Sequence, residues 1–252
     1  MIAFREAYKT VTKNISPLSS EKVTLRNLLK RVVSEDIISL FDSPSSDVSL
    51  KDGYAIVSED IEKASSDNPV RLALIGTQFA GSRKKIILGH GKAVRITSGA
   101  IIPEGADAVI PEEFTVNKNN IVEVLADAYR GRNILRKGDN FRKGETIISR
   151  GTLLMPPHIG LIASAGLKEI NVFKSPIVTI IATGDEILKI GKVIKKGKIP
   201  ASNLLTTSAW CHCFGMKTKN VIVGDSENEI KKAITSHISV SDGSHQREKG
   251  LS

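Results

Sequence analysis

Cysteine is almost missing from this 252-residue chain: there are two, Cys211 and Cys213. Two residues apart, they cannot staple a fold, and so low a count points to a reducing compartment. Aromatic residues are also scarce, at 4%, which leaves few of the stacking platforms that single-strand nucleic-acid binders use. No apolar run approaches the ~20 residues that a membrane-spanning helix needs. The opening Met1-Ile-Ala-Phe-Arg-Glu-Ala-Tyr-Lys9 has no basic stretch followed by an apolar core, so no secretory signal is expected. What remains is ordinary globular composition, 40% hydrophobic and 25% charged, in a length that suits one large domain or two to three small ones.

Charge is present in excess and unevenly placed. The net charge is +9, from 36 Lys and Arg against 27 Asp and Glu. Residues 130–200 hold 14 of the cations and five of the acids, so the rest of the chain is neutral. Such asymmetry fits either a solvated basic face or a partner of negative charge. A nucleic acid could supply that charge, but no recognition element stands out, and no sequence-specific nucleic-acid binding is expected.

Apolar spacing organises the chain. Phe4, Ala7, Tyr8, Val11 and Ile15 recur on one face at a helical period, and Ser16-Pro17 ends that helix. Leu25, Leu28, Leu29, Val32 and Val33 predict a second helix, followed by an extended run over 36–41. From Asp47 to about Ala128 the segments are short, extended and punctuated by Gly, Asn and Pro, as in an all-β module. They are Tyr54–Val57, Val70–Ile75, Lys92–Ile96, Ala108–Ile110 and Ile121–Leu125, with Ile86-Ile-Leu88 a further apolar run. A basic, Gly-rich connector over 130–150 leads to a helix opened by Pro156-Pro157 and stopped by Gly166. The strand Ile177–Ala182 reads as buried. A helix from Asn203 as cap to Phe214, a strand at Val221–Val223 and a helix from Glu227 to about Ile234 follow. Strand–helix–strand–helix is the opening of a parallel α/β domain. The polar stretch 239–252 has the composition of a disordered tail, so the α/β sheet is expected to stop short of a third strand.

Several loops concentrate chemistry. Asp47-Val-Ser-Leu-Lys-Asp-Gly-Tyr54 places carboxylates, a lysine and a serine ahead of a strand, and reads either as a site or as a tight turn. Arg95-Ile-Thr-Ser-Gly-Ala100 runs a strand into small hydroxyl residues; its backbone N–H groups, with Thr97 and Ser98, form either an anion nest or a plain loop. Ala182-Thr-Gly-Asp-Glu186 follows a strand, at the end where parallel sheets bind ligands. There Asp185 and Glu186 offer oxygen ligands to a divalent metal, or simply favour a helix start. Arg136-Lys-Gly-Asp-Asn-Phe-Arg-Lys-Gly144 is a candidate phosphate or oxyanion cradle, or a solvated connector. Cys211-His-Cys213 does not suit a metal, because successive helical residues point ~100° apart. Trp210 on the same helix reads as core.

Together these pieces resemble the molybdopterin molybdenumtransferase family, which includes MoeA and the E domain of gephyrin. The resemblance is carried by five motifs in one order. They are Asp47-x-Ser-x-x-Asp-Gly-Tyr-Ala55, Ala93-Val-Arg-Ile-Thr-Ser-Gly-Ala-x-x-Pro-Glu-Gly-Ala-Asp-Ala-Val109, Gly131-x-Asn-Ile-x-x-Lys-Gly-Asp-Asn140, Ala182-Thr-Gly-Asp-Glu-Ile187 and Ser202-Asn203. It implies an elongated subunit: a linker domain (1–44 with 133–170), an inserted β module (45–132) and a partial parallel α/β molybdopterin-binding domain (171–238). It implies insertion of molybdate into adenylated molybdopterin with release of AMP, in a cytoplasmic homodimer, with magnesium as the expected divalent metal and no membrane contact. Residue by residue, it assigns catalysis to Asp52, Ser98 and Glu186, and metal binding to Asp185 and Glu186. Substrate contacts fall to Lys51, Thr97, Gly99, Arg136, Asp139, Thr183, Gly184, Ser202 and Asn203. The chain departs from the family pattern at Lys51 (usually apolar), Ser98 (usually Thr), Asn140 (often acidic) and Ala201 (usually Asp). The family's later strand, pterin loop and C-terminal barrel find no counterpart, so little turnover is expected of these 252 residues alone. A non-catalytic module for binding or dimerisation is the alternative reading.

Overall fold

A computed structural model describes residues 2–238. They divide into two compact units, one of residues 2–37, 148–163 and 167–238, the other of residues 38–147 and 164–166. In chain order the elements are α1 (Phe4–Asn14), β1 (Ser20–Thr24), β2 (Ile37–Ile38), β3 (Val48–Ser49), β4 (Gly53–Ile56), β5 (Val70–Gln78), β6 (Lys92–Ile96) and β7 (Ala108–Pro111). Next come β8 (Thr115–Lys118), β9 (Ile121–Val124), β10 (Ile134–Leu135), β11 (Thr146–Ile148), α2 (Pro156–Ser164) and β12 (Glu169–Phe173). The last are β13 (Ile177–Thr183), β14 (Ile187–Leu188), β15 (Ile199–Pro200), α3 (Ser202–Cys213), β16 (Lys217–Val223) and α4 (Glu227–Ile238).

The second unit is built on a six-stranded sheet in the order β7-β4-β6-β5-β9-β8. It is mixed: β5 and β6 run parallel, and every other neighbouring pair is antiparallel. Both faces of its central strands are buried. Tyr54, Ile56, Leu72, Ile110 and Val122 pack on one side, and Ala55, Val94, Ile96 and Val109 on the other. This is why 53–56 and 108–111 are continuously buried rather than alternating. Gly53 is required by its neighbours: a Cβ there would lie against the Ile110 carbonyl and 2.9 Å from the Pro111 Cα.

In the other unit β1 pairs antiparallel with β12 over Ser20↔Phe173 to Thr24↔Glu169. β13 and β16 pair in parallel, from Ile177↔Lys217 to Thr183↔Val223, with α3 as the crossover. β14 and β15 add a short parallel pair, Ile187↔Ile199 and Leu188↔Pro200.

Four expectations about elements and burial are corrected, and a strand appears that the sequence patterning does not predict. The helix expected through Leu25–Val33 is a single 3-10 turn, Leu25–Asn27. Lys30 then adopts φ 61°, which ends any helix, and Val32 and Val33 bridge to Leu153 and Val172. The polar segment Ser20–Thr24 is a strand because β12 pairs with it, a long-range cause that local patterning does not register. Asn203 is not the cap of α3: the helix starts at Ser202, after Ala201, with no side-chain capping bond. Trp210 is 62% exposed and stacks on Phe214, so it is not core. The strand at 177–183 is half-buried rather than buried. The expected disordered tail lies outside the described residues.

Candidate functional site

One cluster forms at an end of the six-stranded sheet. The register Gly53↔Ile96 sets the loop before β4 beside the loop after β6. Asp52 and Ser98, 46 residues apart, therefore meet: the Ser98 N–H donates to Asp52 Oδ1 at 2.8 Å. Around them Gly99 N–H donates to Ser49 O (2.8 Å), Ala100 N–H to Thr97 O (3.0 Å) and Thr97 N–H to Gln78 O (3.1 Å). The anion nest expected at Thr97–Ala100 is thus already satisfied within the protein, and the group seated on it is the Asp52 carboxylate. Thr97 Oγ1 accepts from Ala80 N–H at 2.9 Å. The Ser98 hydroxyl and Asp52 Oδ2 have no partner among the described residues. Lys51 is exposed, and its backbone is fixed by Ser49, whose hydroxyl donates to Lys51 O at 2.6 Å.

The basic connector is a set of carboxylate-capped turns. Arg136 N–H donates to Asp139 Oδ2 (2.9 Å), Lys137 N–H to Asp47 Oδ1 (2.8 Å), Arg142 N–H to Glu145 Oε2 (2.9 Å) and Lys143 N–H to Asp42 Oδ1 (2.9 Å). A cradle of free amides is therefore excluded, although the side chains of Arg136, Arg142 and Lys143 remain in solvent. Asp47, the first residue of the Asp52 loop motif, works here as a turn cap. Asp42 also faces Lys137 Nζ at 3.2 Å. The Lys143 N–H and then the Lys137 ammonium hold its carboxyl below the usual carboxylate range.

The second cluster, in the other unit, sits at the carboxyl ends of β13 and β16. Each strand is followed by Gly-Asp: Gly184-Asp185 and Gly224-Asp225. Gly184 N–H donates to Val223 O at 3.1 Å, and the two aspartates clasp reciprocally. Asp185 N–H donates to Asp225 Oδ2 and Asp225 N–H to Asp185 Oδ1, both at 3.3 Å. Glu229 accepts from Gly224 N–H at 3.0 Å. The glycines make room for this crowding. A Cβ on Gly224 would lie 2.6 Å from Asp185 Oδ1, and one on Gly184 would lie 2.5 Å from Glu186 Oε2. Thr183 closes β13, and the β14·β15 pair returns the chain so that Ile199 N–H reaches Glu186 O (2.8 Å) three residues before Ser202-Asn203. A cavity of about 500 Å³ opens here, lined by Gly184, Asp185, Gly224, Glu229, Lys232 and His237 among others. Asp225 and Glu229 are the residues sequence reasoning missed; the readable signal was the repeated Gly-Asp after each parallel strand.

Oxygen-only donors of this kind suit a hard cation. Among the described residues, however, no three His, Cys, Asp or Glu side chains converge in metal-holding geometry. These donors form no all-protein cage, so a hard cation here would need water and phosphate to complete its shell. His212, between the two cysteines, is engaged by Thr218 Oγ1 at 3.0 Å.

Fold and site thus define a class: a multi-domain α/β protein with a mixed β unit and a parallel-strand carboxylate cluster. A family described as the MoeA N-terminal region (domain I and II) matches residues 2–166, and the chain belongs to the MoeA family. The molybdopterin molybdenumtransferase of Staphylococcus aureus is 32% identical over 241 residues, which is 94% of this chain and 58% of that protein. That of Haemophilus influenzae is 32% identical over 219 residues, 86% of this chain and 53% of that protein. The crystal structure of the molybdopterin biosynthesis MoeA protein from Pyrococcus horikoshii OT3 superposes with a TM-score of 0.83 at 32% identity, over 96% of this chain and 65% of that one. The chain thus spans little more than half the length of its curated relatives.

Proposed function

We propose that this chain serves molybdenum cofactor biosynthesis by inserting molybdate into adenylated molybdopterin with release of AMP. The observation that carries the reading is the carboxylate cluster at the ends of β13 and β16, in a chain whose relatives are named for this transfer. Asp185 and Glu186 are the ligands we assign to magnesium, with Asp225 fixing Asp185. Bound there, the ion would polarise a phosphoryl oxygen as a Lewis acid. Thr183, Gly184, Ser202 and Asn203 border that end of the sheet and are assigned to the substrate. In the other unit Asp52 fixes the Ser98 loop through the backbone, and the Ser98 hydroxyl is free to donate to an oxyanion. Lys51, the Arg136 side chain and the Thr97 hydroxyl complete that anionic site, with Gly99 shaping the loop between them, and Asp139 holds the Arg136 turn.

The same reading makes the protein a cytoplasmic homodimer. Support for a second copy comes from α1, whose apolar face is unburied: Phe4 is 83% exposed and Tyr8 61%. That face equally suits a module kept for dimerisation without catalysis. No helix among the described residues is long and apolar enough to cross a membrane. We read residues 1–44 with 133–170 as the linker domain, 45–132 as its β insertion and 171–238 as the α/β part. The family match, described as two domains and ending at residue 166, supports the start of the α/β part near residue 171.

The test is molybdate-dependent cofactor formation from adenylated molybdopterin. It is measured on this protein and on a version extended with the remaining portion of the staphylococcal relative. Turnover in the extended protein that Ser98→Ala lowers is the expected result. Turnover in neither, with both folded, would leave the dimerisation module as the correct reading.

A further inference from the structure

The ten residues 189–198 between β14 and β15 hold five lysines, Lys189, Lys192, Lys195, Lys196 and Lys198, and no acid. Within them a four-residue pattern occurs twice: Lys189-Ile-Gly-Lys192 and Lys195-Lys-Gly-Lys198. Each copy is a closed turn. Lys192 N–H donates to Lys189 O at 3.3 Å, and Lys198 N–H to Lys195 O at 3.0 Å. Gly191 at φ 84° and Gly197 at φ 76° occupy the third position, where a type II turn needs a left-handed residue. A turn of this kind brings its first and fourth residues within ~7 Å, so each places two lysines side by side.

Like charges held together call for a counter-ion, and the described residues supply none. No loop lysine forms an ion pair among the described residues. All five are exposed. The loop is anchored all the same: Lys198 Nζ donates to the Asp185 carbonyl at 2.5 Å, and Ile199 and Ala201 N–H bond Glu186 and Leu188 carbonyls. The twin turns therefore stand on the segment that carries the β13 carboxylates. Two lysine pairs separated by the dipeptide Val193-Ile194 match a ligand with two linked anionic centres, and lysine is a common point-charge partner of phosphate.

We propose that the twin Lys-x-Gly-Lys turns are a diphosphate-binding element, one turn per phosphate group. The inference rests on the function reading only for the identity of the natural substrate, an adenylated compound joined through two phosphates. Inorganic pyrophosphate is the probe, titrated calorimetrically into the whole protein at low salt, with circular dichroism to verify folding. K189Q/K192Q and K195Q, which leaves the Lys198 anchor, should each weaken pyrophosphate binding about tenfold, and the combined variant about 100-fold. Gly191→Ala with Gly197→Ala keeps every charge but disfavours the turns, and should weaken binding too. K9Q/K13Q/K22Q removes as much charge elsewhere and should bind like wild type. Absence of saturable wild-type binding, wild-type affinity in the combined variant, or an equal loss in the α1–β1 control would overturn the proposal. Loop-dependent pyrophosphate binding, in a protein whose extended form makes no cofactor, would instead sink the function reading and leave the element standing.

Discussion

Asp52 and Gly53 work separately at adjacent positions. Asp52 Oδ1 accepts the Ser98 N–H, and Gly53 lets β7 approach. Asp52→Asn keeps an acceptor for that N–H, so in the extended protein stability should fall by no more than about 1 kcal/mol while cofactor formation drops far more. Urea unfolding of the same sample used for activity checks this. Gly53→Ala should do the reverse, costing roughly 1–3 kcal/mol through overpacking against Ile110 and Pro111. Two titrations run in opposite senses. Asp42 is lowered by the Lys143 N–H and Lys137, so its contribution is complete above the ordinary carboxylate value and is lost as pH falls through the lower folded one. His90 is raised by its bond to Asp60, 2.7 Å away. Its contribution is complete below the ordinary imidazole value and disappears as pH rises through the raised one. Unfolding curves of Asp42→Asn and His90→Gln across pH should lose the acid limb and the neutral limb respectively.

At the scale of elements, legibility followed the range of the forces. The strands at 92–96 and 108–111 and the helices at 156–164 and 227–238 were readable because their own residues carry the pattern. Ser20–Thr24, Thr115–Lys118 and Glu169–Phe173 were not, because partners far along the chain or across a hairpin recruit mixed sequences into strands. Leu25–Val33 carried helical spacing, yet its apolar residues serve two bridges and a 3-10 turn. The Asp52–Ser98 contact was legible only as two motifs; their meeting depends on the β4–β6 register. The Asp185–Asp225 clasp needed the parallel β13–β16 pairing. Burial then sets the cost of change. Ile110 is fully buried in β7, and Ile110→Ala should destabilise by about 2–5 kcal/mol. Val11 is 53% exposed on α1, and Val11→Ser should stay within roughly 0.5 kcal/mol in the same urea titration.

Over the whole molecule, the excess positive charge lies in capped turns and in the 189–198 loop rather than on a helix shaped for a groove. Binding to DNA should therefore be weak, independent of sequence and lost steeply between ~50 and ~200 mM salt; filter binding to unrelated duplexes checks this. That the carboxylates gathered at the ends of β13 and β16 serve molybdate insertion is our proposal. Its most direct test is AMP release from adenylated molybdopterin by the extended protein, with and without molybdate, for wild type, Asp185→Asn and Asp225→Asn. Release should depend on molybdate, fall on the order of 100-fold in Asp185→Asn and also be reduced in Asp225→Asn, with folding intact. Wild-type release from both variants would contradict it.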